Sequence, residues 1–319
     1  MIMIKLIQNE WIKIIKRPGT LVMMALVIIL VGVIGAFTKY SEGKSQQVTD
    51  DKWKQVLQQE TDELKKELKG TGKNDPIRKS FEKNIAVNEY RIKHNITPNE
   101  ERNVWTFIDS TSDVIVLVGL FTIIIAANIV ASEFNWGTIK LLLIRPYSRS
   151  KIILSKYLTS ILFGLVFLAV LFCASLVIGL ILFGPADGNP SYLAYVDGHV
   201  EEQSRLLYSA KLYLLSFIET FMLATMAFMV STIFRNNTIA IGLSIFLLFM
   251  GNVITTIVAA KYEWAKYILF ANTNLMQYMD GAPLVEGMTM VFSCIVLICY
   301  LVVFLFLAFY VFSKRDVTA

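Results

Sequence analysis

Six long apolar stretches alternate with polar ones along the chain, at residues 20–37, 110–132, 152–183, 212–233, 239–259 and 288–312. A helix needs about 20 apolar residues to cross the hydrocarbon core of a bilayer, so each stretch predicts a span. The first follows a basic lead-in, but the lead-in is long and no small-x-small site follows Phe37, so it reads as a span and not a cleaved leader. The third is longer than one membrane thickness. Lys156 near its start predicts its cytoplasmic end, with the side-chain stem reaching back to the interface. Six spans place both ends of the chain on one side.

The polar segments divide in kind. In residues 1–19, Ile4, Ile7, Trp11, Ile14 and Ile15 recur at helical spacing, with Lys5, Lys13 and Lys16 off that face and Pro18-Gly19 ending the run. A basic amphipathic helix beside a span predicts a helix lying in the membrane interface; its plain role would be that of an anchor. Residues 38–109 form a polar insert with two helical stripes. Trp53, Leu57, Leu64 and Leu68 make one; Ile77, Phe81, Ile85, Asn88 and Ile92 make the other, after Asp75-Pro76 as a helix start. They predict an extracellular helical hairpin, or else a linker of two solvated helices. Residues 184–211 read as an extracellular loop. Residues 260–287 hold Trp264, Tyr267, Phe270 and Tyr278 with Gly281 and Pro283, which predicts short helices re-entering the outer leaflet. Residues 133–151 and the tail 313–319 complete the chain. The fold class expected is thus an all-α membrane protein.

Composition agrees: 55% of residues are apolar and 17% charged, with a mean hydropathy of +0.57. A soluble domain is nearer 45–50% apolar and a quarter charged, so a water-soluble enzyme is excluded. The formal charge of +5 would suggest nucleic acid in a soluble protein. Here its distribution matters more. Lys5, Lys13, Lys16 and Arg17 in the first polar segment, Lys140, Arg145, Arg149 and Lys151 in 133–151, Arg235, and Lys314 with Arg315 all fall on one side. Residues 184–210 carry Asp187, Asp197, Glu201 and Glu202 against Arg205. The positive-inside rule then puts both termini in the cytoplasm and leaves no nucleic-acid partner to invoke.

Little points to catalysis. The three cysteines, Cys173, Cys294 and Cys299, lie in apolar runs with no metal or disulfide spacing. Gly43-Lys44-Ser45 resembles the end of a phosphate loop, but the earlier glycine it needs falls at Thr38. The two histidines, His94 and His199, are both in external segments. No catalytic residue, metal ligand or cofactor site is assigned to this chain.

The segment between the second and third spans is the informative one. It reads Glu133-Phe134-Asn135-Trp136-Gly137-Thr138-Ile139-Lys140, then Leu141, Leu142 and Leu143, then Arg145-Pro146-Tyr147-Ser148-Arg149. An apolar run in so short a connection predicts a helix lying across the chain, with Thr138 as a possible cap and Pro146 as its stop. The pattern of Glu133, Gly137, Thr138, Leu141, Leu142, Pro146, Ser148, Arg149 and Lys156 resembles the signature of the ABC-2 type permeases of ABC transporters. The run from Phe312 to Val317 resembles their usual ending, and the span count agrees. The insert is longer than in the simplest members.

That resemblance implies a transmembrane exporter subunit that hydrolyses nothing itself. ATP and Mg would be bound by a separate ATPase subunit, and a second permease copy, identical or different, would complete the assembly among membrane lipids. Glu133, Trp136, Gly137, Thr138, Leu141, Leu142, Arg145, Pro146, Ser148 and Arg149 would form the ATPase-coupling segment. Arg145, Arg149 and Lys151 would meet acidic groups of the ATPase or anchor lipid phosphates. Glu133 would pair with a base or cap backbone donors. The expected cargo is hydrophobic or amphipathic, such as an antimicrobial peptide, a drug or a lipid-linked molecule. The alternative is a membrane sensory or scaffold subunit that binds an external ligand or partner without transport. Glu219 stands apart as a charge inside the fourth span, read either as lining the translocation path or as a neutral or paired acid.

Overall fold

The computed structural model describes residues 2–44, 53–72, 76–97, 103–139, 147–185, 191–196, 198–279 and 283–314. Helix α1 (Ile2–Ile15) leads into α2 (Pro18–Lys44). Helices α3 (Trp53–Gly70) and α4 (Pro76–His94) follow, then α5 (Val104–Ser110) and α6 (Ile115–Asn135). After them come α7 (Arg149–Phe183), strands β1 (Ser191–Val196) and β2 (His199–Ser204), α8 (Arg205–Phe234) and α9 (Asn237–Ala259). A short α10 (Leu269–Thr273) and α11 (Met290–Lys314) complete the order. Six helical stretches are long and apolar enough to cross a membrane, so the protein is a multi-pass membrane protein.

The second span is longer than the apolar run suggested. It extends over Val104–Asn135 as α5, a short 3-10 turn and α6. Asn103 starts α5 with a full capping box: its side chain accepts from the backbone of Trp105 and Thr106, while Thr106 Oγ1 accepts from the Asn103 backbone. Asp109 hid this start from the hydropathy pattern. It is neutralised by Arg205 at 3.1 Å and Ser209 at 2.6 Å on α8.

Helix α6 is the centre of the bundle, packed on α7, α8 and α9 and buried along most of its length. In lipid, helices associate through close packing and interhelical hydrogen bonds more than through hydrophobicity. Both are present. Gly119 lies against Thr220 and Gly164 against Thr122, so the backbones approach closely. Ser231 donates to the Ala127 carbonyl at 2.6 Å, Tyr157 and Thr225 are 3.0 Å apart, and Thr111 donates to Ser175 at 2.8 Å. Helix α7 has 35 residues, about 52 Å at 1.5 Å per residue, against roughly 30 Å of hydrocarbon. Helix α2 packs along it.

The structure is mostly helical, as expected, with one departure from an all-α fold: within the segment read as a loop, β1 and β2 pair antiparallel from Ser191↔Ser204 to Val196↔His199. Tyr192, Leu193, Tyr195 and Val196 favour strand, and Asp197-Gly198 is a strong hairpin signal. Gly198 has φ 88°, a region that L side chains avoid. The hairpin packs on α4, where the Tyr90 hydroxyl donates to Glu202 at 3.2 Å. Helices α3 and α4 lie against each other, with Leu57, Thr61 and Ile85 buried between them and Lys65 paired to Glu89 at 2.7 Å.

The segment before α11 is built from α10 and two 3-10 turns, Glu263–Tyr267 and Leu275–Tyr278. Its irregular backbone is satisfied from within. Asn272 Nδ2 donates to the carbonyls of Lys266 and Ile268, each at 2.8 Å, and Gln277 Nε2 donates to Ala271 at 2.9 Å. Phe270 lies over Gly251 of α9, where any Cβ would run into the ring. Gly251→Ala is expected to cost about 1–3 kcal/mol, seen as a lower thermal midpoint in detergent. Gly242→Ala, on the same helix with open space around it, should leave the midpoint unchanged or slightly raised.

Candidate functional site: a buried ion cluster

The ends of α1, α6 and α7 meet at the face of the bundle that carries both ends of the described chain. Their meeting point is ionic. Lys156 Nζ, on the second turn of α7, donates to Glu10 Oε2 of α1 at 2.7 Å and to Glu133 Oε1 of α6 at 2.9 Å. Lys13 Nζ closes the ring, 2.9 Å from Glu10 Oε1 and 3.2 Å from Glu133 Oε1. The other Glu133 oxygen accepts from the Thr138 hydroxyl. Two cations and two anions cancel. The Lys156 side chain is 1% exposed and those of Glu10 and Glu133 at most 10%, so three charges lie out of water and only Lys13, 40% exposed, touches it. Ile14, Ile139 and Ile153, all buried, belong to the core beneath.

Local sequence explains how the groups converge. Glu10 and Ile14 are one turn apart and both buried on the covered face of α1. That face keeps Ile7, Trp11, Ile14 and Ile15 of the expected stripe, but Ile4 is exposed and Glu10 is buried within it. Helix α6 ends in a tight turn, with the Trp136 and Gly137 amides donating to Ser132 and Phe134. Gly137 has φ 69°, the left-handed residue that commonly terminates a helix. The turn folds Thr138 back onto Glu133, so its hydroxyl serves the carboxylate; the amides it was expected to cap lie outside the described residues.

Lys156 is also corrected. It does not reach out to the interface; a buried lysine with two carboxylate partners gains more from pairing than from a partial return to water. Glu133 pairs with bases, one of its two expected roles. Trp136 is 66% exposed beside this cluster, with the Arg17 guanidinium 5.5 Å from its ring. Arg235 lies 4.6 Å over Phe134. Ser148 precedes α7, and Arg149, its first residue, donates to the Ser313 carbonyl at 3.1 Å. Leu141, Leu142, Arg145 and Pro146 lie outside the described residues. Glu219 is not part of this site. It sits midway along α8, where its Oε1 accepts from Asn252 Nδ2 of α9 at 3.2 Å. Among the described residues, no three His, Cys, Asp or Glu side chains come together to hold a metal ion.

Sequence reasoning missed Glu10 and Lys13 as site residues. The available signal was slight: Glu10 is the lone acid in the first nineteen residues, on a helix otherwise basic and apolar.

These features define a polytopic helical membrane protein whose terminal face is tied by a buried ion cluster. The chain belongs to the DUF2705 family, described as proteins of unknown function, whose family model matches residues 78–318. It is 48% identical over 319 residues to the uncharacterized protein YhcI of Bacillus subtilis (strain 168), covering 99% of each chain. It is 30% identical over 226 residues to the uncharacterized membrane protein YdbK of the same organism, covering 70% of this chain and 87% of that one. This corrects the resemblance to the ABC-2 permeases, because the matching family spans the whole of the quoted segment 133–156 and is DUF2705. The pattern misled because a glycine turn, an apolar run, a proline stop and flanking bases suit many short helical connections at a membrane face.

Lys156→Met is expected to cost about 3–5 kcal/mol, because it strands two buried carboxylates. The triple variant Glu10→Gln, Glu133→Gln, Lys156→Met should recover most of the lost thermal stability. Lys13 adds a pH dependence. Burial alone would lower its pKa, but Glu10 and Glu133 outweigh that and hold it above the ordinary 10.5. Its contribution is therefore complete below pH 10.5 and fades as pH climbs through the raised value. Lys13→Met should flatten the alkaline limb of a thermal-midpoint profile.

Proposed function

We propose that this chain is the transmembrane subunit of an exporter driven by a separate ATPase subunit. The observation that carries the reading is the ion cluster. It joins α1 to the ends of α6 and α7, which flank the connection 136–149. A push on that connection reaches both spans together, since moving either alone would separate buried charges. Trp136, exposed at its start, supplies an aromatic anchor of the kind that dominates protein interfaces.

In this reading the terminal face is cytoplasmic, in keeping with its excess of Lys and Arg. Helix α1 lies along the membrane interface, and α3, α4 and the β-hairpin form an extracellular unit. A pair of such subunits, alike or different, works with two ATPases that hold ATP and Mg. The cargo is hydrophobic or amphipathic. A second reading, a sensory or scaffold subunit, draws support from the folded unit in which α4 carries the β-hairpin through Tyr90 and Glu202; that unit would bind a ligand or partner with no transport.

Purification from native membranes in mild detergent, followed by mass spectrometry, separates the two. The exporter reading expects a stoichiometric ATPase. An intact, folded protein with no ATPase would favour the sensor and remove the coupling role of 136–149. Trp136→Glu should weaken ATPase co-purification roughly thirtyfold, as for an interface anchor worth about 2 kcal/mol, and leave the thermal midpoint unchanged.

A further inference from the structure

Charges in the spans are costly, and two of the acids there are paired with bases. Glu133 has Lys156 and Lys13, and Asp109 has Arg205. Glu219 has no base. Among the described residues its carboxyl has one partner, the neutral amide of Asn252 at 3.2 Å. The nearest base along its own helix is Lys211, exposed and two turns away, about 12 Å along the axis. Helix α9 carries no charged residue between Asn237 and Ala259.

The packing around it changes at this point. Over residues 220–232 of α8 every side chain is buried except Phe221 and Met229, which are half-buried. Over residues 214–219 none is fully buried. Glu219 thus stands where α8 becomes less enclosed, on the side of the span nearer the β-hairpin, and meets α9 at Asn252. Phe249, one turn from Asn252 on α9, is 51% exposed.

We propose that the Glu219–Asn252 pair binds the positive headgroup of an amphipathic organic cation, whose apolar body lies along the exposed side of α9 at Phe249. An acid in low dielectric is stabilised most by a counter-charge, and here the protein does not provide one. A small hydrated metal ion would need several oxygen ligands, and one carboxylate beside one amide does not supply them. A delocalised or quaternary cation needs no such shell and gains from an aromatic neighbour such as Phe249. The assignment of this cation as cargo rests on the exporter reading; the binding itself does not.

The test uses the full chain alone in zwitterionic-lipid nanodiscs, with no ATPase. Binding of labelled tetraphenylphosphonium is measured by equilibrium dialysis against empty nanodiscs. Tetraphenylborate, of the same size and shape but opposite charge, is the control. The expected result is saturable binding of one cation per chain, with no saturable binding of the borate. Glu219→Gln should weaken cation binding roughly tenfold or more, the scale of one lost charge contact in a dry site. Glu219→Asp should stay within a few-fold of the parent. Equal binding of the cation and the borate, or full cation affinity in Glu219→Gln, would overturn the assignment; so would the absence of saturable cation binding. Should Glu219→Gln fail to fold, the comparison of cation with borate on the parent protein still decides. Because no ATPase is present, failure here is distinct from failure of the co-purification test.

Discussion

A lysine with almost no access to water holds three helices at one point. Lys156 meets Glu10 and Glu133, which arrive from two other elements, and Lys13 bridges the same two carboxylates from the exposed side. Bringing these groups out of water costs several kcal/mol each, and their attraction returns that only when the geometry is good. Each carboxylate is thus held by two lysines, and each lysine by two carboxylates. The cluster fixes the rotation of α1, the end of α6 and the start of α7 together, and with them the entrance and exit of the connection between those spans.

The rest of the interior is held by weaker means. Glycines on α6 and α7 let neighbouring backbones approach, and single hydroxyl bonds such as those of Ser231 and Tyr157 fix register. None of these carries charge, and each can be lost without stranding another group. The bundle therefore has one ionic joint at its terminal face and a body of interchangeable small contacts. Near the opposite face Asp109, Arg205 and Ser209 make a smaller polar joint between α5 and α8.

The spans were legible because an apolar run of twenty residues has few other uses. Their ends were less so: Asp109 inside Val104–Asn135 looks like loop until Arg205 is seen beside it. The β-hairpin does not show in hydropathy or net charge, the two properties that mark the segment as external, although Asp197-Gly198 and the tyrosines are local signals for it. Glu133 and Thr138 were found as neighbours in sequence. Glu10 and Lys156 could not be, because nothing local relates residues 146 positions apart. The family was misjudged for a related reason: a short pattern that satisfies helix-end chemistry at a membrane face recurs wherever that chemistry is needed.

Helix α7 is longer than the bilayer is thick, and its two ends are held differently. At one end lies Lys156. At the other, the Gly184 carbonyl accepts from the Val104 amide, and Phe183 packs on Phe107. A stiff rod of about 52 Å, tilted by about 10° around one end, carries the other end sideways by roughly 9 Å. Any rocking at the ionic joint would thus be magnified into a displacement wider than a side chain at the base of the β-hairpin.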